Sequence, residues 1–165
     1  MSRHQVNLSV NGKQNQVWVE ASDSLLDVLH DELGAADVRY GCGEGVCGTC
    51  TVLIDGEPVS GCLVFAVQAE GQEITTVRGL LGEDDALHPL QACMLKRGGA
   101  QCGFCTPGMI LTSHSLVERC GRPTRDEIRY ELVGNLCRCT GYTKIFDAVE
   151  EYSDLVAGDV EVAHK

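Results

Sequence analysis

Three cysteines within one short run, Gly41-Cys42-Gly43-Glu44-Gly45-Val46-Cys47-Gly48-Thr49-Cys50, followed by Cys62, constrain this chain more than any other stretch. The spacing is C-x4-C-x2-C with a distant fourth thiol, which suits the two irons of a [2Fe–2S] cluster held by four thiolates. Gly43, Gly45 and Gly48, with Gly41, let the backbone take positive φ and wrap tightly around such a group. Their amide N–H groups then point at sulfur and tune its potential. Structural zinc also takes four cysteines but usually pairs two short hooks, whereas one loop here supplies three thiols. A disulfide framework is the weakest rival, because thiols this crowded suit a metal cage better than separate bridges.

Ten cysteines in 165 residues need a common role. Metal-bound thiols fit a reducing cytoplasm, where disulfides are rare. The N-terminal run Met1-Ser2-Arg3-His4-Gln5-Val6 has no apolar export core. No apolar stretch approaches the ~20 residues of a membrane span, so a soluble, cytoplasmic chain is expected. A formal net charge of −11 argues against nucleic acid as a partner, since no Lys/Arg surplus exists to neutralise phosphates.

Val6, Leu8 and Val10 alternate, Asn11-Gly12 signals a turn, and Val17-Trp18-Val19 reads as the returning strand. A helix follows, capped within Ser22-Asp23-Ser24, carrying Leu25, Leu26, Val28, Leu29 and Leu33 on one face and stopped by Gly34. Beyond the cysteine loop, Thr51 to Ile54 and Glu57 to Ser60 flank Asp55-Gly56 as a second hairpin, and Ile74 to Val77 supplies a last strand. This is an α+β unit of plant-type ferredoxin, β-grasp character over residues 1–79. From residue 80 to 165 the alternation gives way to four short helices. They run from His88-Pro89, from Thr106 as N-cap with Pro107 at N1, from the Thr124…Glu127 capping box, and through Ile145, Val149 and Tyr152. Four short helices predict a bundle.

The second half carries its own thiols, C-x2-C at Cys102 and Cys105 and C-x-C at Cys137 and Cys139, both at helix boundaries. Helix N-termini favour thiolates and an anionic cluster, and a C-x-C pair is too tight for a relaxed disulfide. Taken alone, this set also suits zinc. The two sets together, Gly-Cys-Gly-Glu-Gly-Val-Cys-Gly-Thr-Cys with Gln-Cys-Gly-Phe-Cys-Thr-Pro-Gly and Gly-Asn-Leu-Cys-Arg-Cys-Thr-Gly-Tyr, resemble the small iron–sulfur subunit of molybdenum hydroxylases, the xanthine oxidase and carbon monoxide dehydrogenase family.

The resemblance implies one [2Fe–2S] cluster on Cys42, Cys47, Cys50 and Cys62 and another on Cys102, Cys105, Cys137 and Cys139. It implies a large partner subunit holding molybdopterin cytosine dinucleotide, commonly a medium FAD subunit, and a dimer of heterotrimers. The helical-half cluster would lie nearer the molybdenum cofactor and the first nearer the flavin. Gln101 and Cys139 would contact the partner's molybdopterin. The chain would then relay electrons, with no catalytic residue of its own. Cys93 and Cys120, outside both motifs, are expected to be buried, inert thiols, and Arg138 to pair with local carbonyls or with the cluster's charge. None of the five histidines stands at metal-ligand spacing with a cysteine.

Overall fold

The computed structural model describes residues 3–158. Strands β1 (Arg3–Val10) and β2 (Lys13–Glu20) pair antiparallel from Val10↔Lys13 out to Arg3↔Glu20. Their connection uses Asn11 and Gly12 at φ 52° and 73°, the twist a two-residue hairpin loop requires. Ser24 caps α1 (Leu25–Asp27), its hydroxyl accepting from the Asp27 amide while the Asp27 carboxylate accepts from the Ser24 amide. The helix continues as a π turn over Val28–Glu32. Leu25, Leu26, Val28 and Leu29 are all buried against the sheet.

Strands β3 (Thr51–Ile54), β4 (Glu57–Ser60) and β5 (Glu73–Thr75) complete a five-stranded sheet of order β2-β1-β5-β3-β4, in which only β1 and β5 run parallel. The last strand ends earlier than the predicted Val77. Asn11 explains this: its Oδ1 takes the Thr76 amide at 2.8 Å and its Nδ2 donates to the Thr76 hydroxyl at 3.0 Å, pulling the chain from the ladder. Residues Val77–Leu80 then form a 3-10 turn.

The helical half comprises α2 (Pro89–Arg97), α3 (Thr106–Cys120), α4 (Arg125–Glu131) and α5 (Thr143–Val156). His88 caps α2, Gly98 closes it in the left-handed conformation, and the Thr124–Glu127 capping box opens α4. The predicted N-cap of α3 is displaced by one residue. Cys105 holds that position with no side-chain cap bond, because its thiol is engaged with Cys137 instead.

Two apolar cores result, one around Leu8, Leu29 and Ile74, the other around Leu90, Met109, Ile128 and Val149. Each fully buried Leu or Met adds roughly 1.5–3 kcal/mol. Helix α3 is buried on nearly every side from Pro107 to Val117, since one face meets the other helices and the opposite face meets β3 and β4. It joins the halves. Among the described residues no helix is long and apolar enough to cross a membrane.

Candidate metal centres

The first thiol loop leaves α1 and turns back toward the sheet through Gly43, Gly45 and Gly48, at φ 71°, 73° and 66°. That winding aims backbone donors at sulfur. The Glu44 and Val46 amides each lie 3.3 Å from Cys42 Sγ, and the Cys42 amide lies 3.3 Å from Cys47 Sγ. The Glu44, Val46 and Cys47 amides bring the Cys42 thiol down to about 7. Burial pushes the Cys50 thiol up to about 11, with Cys62 hydrogen-bonded beside it. The thiols thus stand as two pairs, Cys42 with Cys47 and Cys50 with Cys62. A Cβ on Gly41 would lie 2.6 Å from Cys47 Sγ, so the loop is closed against the sulfurs.

In the helical half, Cys102 and Cys105 flank the entry to α3, and Cys137 and Cys139 occupy the turn between α4 and α5. They also pair. Cys139 Sγ stands 3.5 Å from Cys102 Sγ, and Cys105 is hydrogen-bonded to Cys137. Burial raises the Cys105 thiol to about 12, whereas the Phe104 amide lowers Cys102. Burial acts upward on Cys137 as the largest single influence, yet the Thr140 hydroxyl at 3.1 Å and the Thr140 and Cys139 amides together carry it below its ordinary value. Its bond to Cys102 raises Cys139. Tyr142 holds the hook: its hydroxyl accepts from the Cys137 amide at 2.8 Å and donates to the Asn135 carbonyl at 3.4 Å, while its own backbone sits at φ 69°.

Two thiols per iron is the ligation a two-iron core needs, and the pairing at both centres fits it. Among the described residues no group of three or more His, Cys, Asp or Glu is placed to hold one metal ion. The paired thiols and the amides aimed at them suit a [2Fe–2S] core better than a mononuclear site.

The two loops are bonded to one another. The Leu136 amide donates to the Cys47 carbonyl at 2.9 Å. The Asn135 side-chain amide donates to the Gly48 carbonyl at 3.2 Å and reaches Thr51 Oγ1 at 3.4 Å. Arg39 donates to the carbonyls of Gly103 and Phe104 and lies over the Phe104 ring at 5.7 Å. Asn135, Tyr142 and Arg39 were not predicted. Gly134-Asn135 reads as an ordinary turn dipeptide, and no local pattern announces a tyrosine at positive φ or an arginine that reaches across 64 positions.

Gln101 is exposed beside Cys102, and the neighbouring Cys139 is exposed as well, so both belong to the open rim of the second centre. Cys93 is buried as expected, but Cys120 is exposed. It is the last residue of α3, beyond the buried stripe that ends at Val117. Arg138 is exposed, and the expected pairing with local carbonyls is absent among the described residues.

A half built on a five-stranded sheet and a half built of the four helices α2 to α5, each gathering four thiols, define an iron–sulfur protein of ferredoxin-like construction. Residues 8–81 match the family described as a 2Fe-2S iron-sulfur cluster binding domain, and residues 76–150 match that described as a [2Fe-2S] binding domain. The nicotinate dehydrogenase small FeS subunit of Eubacterium barkeri is 45% identical over 149 residues, covering 90% of this chain and 94% of that subunit. The crystal structure of quinoline 2-oxidoreductase from Pseudomonas putida 86 aligns with a TM-score of 0.89 and 42% identity, over 96% of this chain and 99% of that one. The aldehyde oxidoreductase of Desulfovibrio desulfuricans ATCC 27774 also aligns at 0.89 with 39% identity, over 94% of this chain but 17% of that one. The chain therefore belongs to the small iron–sulfur subunits of the molybdenum hydroxylases.

Proposed function

We propose that this chain relays single electrons from the molybdopterin centre of a large partner subunit, through two [2Fe–2S] clusters, to a flavin subunit or another acceptor. The substrate-converting site lies on another chain. The observation that carries this reading is the bond from the Leu136 amide to the Cys47 carbonyl, which ties the second cysteine hook to the first cysteine loop. It leaves one hydrogen bond and a short run of backbone between two sets of paired thiols.

Cys42, Cys47, Cys50 and Cys62 hold the first cluster, and Cys102, Cys105, Cys137 and Cys139 the second. When bound, each cluster supplies one-electron redox chemistry, which links two-electron molybdenum and flavin centres. The chain's residues hold, bury and orient. Amides of Glu44 and Val46 set the charge tolerance of Cys42, the Thr140 hydroxyl does so for Cys137, and burial of Cys50 and Cys105 keeps water from the inner side of each centre. Gln101 and Cys139, together on the outer rim of the second centre, face the molybdopterin cytosine dinucleotide of the partner. The first centre faces the FAD subunit, in a cytoplasmic dimer of heterotrimers. The division between the halves falls at residues 79 and 80, and the four helices form a bundle around the second core.

Native anaerobic purification with co-eluting chains tests this. Four irons, four labile sulfides and two distinct rhombic EPR signals on dithionite reduction are expected, with molybdenum and FAD on larger partners. Zinc in place of iron would sink the proposal.

A further inference from the structure

Asn135 belongs to the backbone of the helical half, yet its side chain acts on the other. Its amide N–H donates to the Leu132 carbonyl at 3.0 Å and its carbonyl accepts from Tyr142. Its side chain is buried at 4% exposure and crosses to the Gly48 carbonyl. That oxygen also accepts from the Thr51 hydroxyl at 2.7 Å and the Thr51 amide at 3.3 Å. It is packed as tightly as it is bonded. A Cβ on Gly108, in the first turn of α3, would stand 2.2 Å from it, and a Cβ on Gly48 would stand 2.4 Å from the Gly134 carbonyl.

Peptide planarity turns this into a statement about the first centre. In a trans peptide the N–H points opposite to the C=O. With the Gly48 carbonyl held toward Asn135, the Thr49 N–H is directed away from the helical half and into the loop that bears Cys42, Cys47 and Cys50. Thr49 is itself buried, its hydroxyl beside Cys47 Sγ against Gly41. We infer that Asn135, a residue of the second centre's hook, is a positioning residue for the first: by fixing the Gly48–Thr49 peptide it presents an N–H to the first centre's sulfurs and raises that centre's reduction potential. An N–H donated to sulfur favours the more negative reduced state, so its loss lowers the potential. The inference rests on the two-cluster reading above.

Potentiometric EPR titration of the purified complex carrying Asn135→Ala tests it. Loss of one well-oriented hydrogen bond changes an equilibrium by about fivefold. The reduced-to-oxidised ratio of the first centre at the wild-type midpoint should therefore fall about fivefold, about 40 mV at 59 mV per tenfold. The second centre's midpoint should stay where it was. Thr51→Val, which removes another donor to the same carbonyl, should shift the first centre in the same direction, and Thr51→Ser should restore it. Thr51→Val carries the test if Asn135→Ala fails to fold. An unmoved first-centre midpoint in a variant with both signals, a shift in the second centre instead, or a Thr51→Ser shift equal to that of Thr51→Val would overturn the inference alone. A wild-type complex without iron would defeat the functional reading as well.

Discussion

The two centres solve one problem by opposite means. The first is local: three of its thiols, its backbone donors and its glycines lie on one loop, so its geometry follows from chain winding. The second is assembled: its hooks lie more than thirty positions apart, at the start of α3 and in the turn between α4 and α5, and there the Thr140 hydroxyl joins backbone amides at the Cys137 sulfur while the Tyr142 hydroxyl holds the hook's own backbone. A loop-built centre is sensitive to φ and to backbone space, whereas a helix-built centre is sensitive to packing and to side-chain hydroxyls.

Thiol removal separates the two most sharply. Cys42→Ser should abolish the first centre's EPR signal while the second signal persists. Cys105→Ser should abolish the second and, being buried at the N-cap of α3, should lower thermal stability too; loss of both signals from Cys42→Ser with the fold intact would break the contrast. Glycine substitution gives the next largest effect. Gly48→Ala combines a left-handed φ of 66° with a Cβ that meets Gly134 and Asn135, and should cost about 3 kcal/mol, or roughly 6–12 °C in Tm. Gly103→Ala shares the left-handed conformation, at φ 78°, but meets no atom within 4 Å, so only about 1 kcal/mol should be lost in a calorimetric scan. Comparable losses would mean that conformation, not the junction, governs both.

Tyr142→Phe should cost about 1–2 kcal/mol and perturb only the second centre's spectrum, because the Cys137 amide and the Asn135 carbonyl both lose the hydroxyl. The smallest effect is a pH slope confined to the helical half. Burial lowers His88 and His114, whose rings meet edge to face at 5.1 Å, with Glu118 acting weakly upward on both. The unfolded chain takes up these protons first as pH falls below about 6.5, so their contribution is present above that pH and is lost as it falls through the folded-state values. His114→Gln should flatten the fall in Tm between pH 7.5 and 5.5 relative to wild type.

This contrast also decided what the sequence made legible. The turns at Asn11-Gly12 and Asp55-Gly56 and the positive φ of Gly43, Gly45 and Gly48 are local patterns, and each appears in the structure where the sequence places it, whereas Gly41, expected to share that conformation, does not take it. The β5 boundary moved because a side chain 65 positions away captured Thr76. The start of α3 moved because a thiol that would otherwise lie free at the cap is drawn to Cys137. Asn135 could be seen as a turn residue but not as a bridge, since its partners Gly48 and Thr51 lie 87 and 84 positions away. Cys120 misled for the reverse reason: cysteine is commonly buried, and only the tertiary packing of α3 shows where its covered stripe stops.

Each centre is sealed on one side and open on the other. Cys50 and Cys105 are buried, while Cys42, Cys102 and Cys139 are exposed. Apolar side chains stand bare around the open rims, with Val46 and Leu63 near the first and Phe104 and Leu136 near the second. A chain standing alone therefore offers oxygen and chelators a direct route to both centres, and their lifetime depends on subunits that cover those rims. Durability in air belongs to the assembled complex, and its decay after subunit separation should begin at the outward-facing thiols.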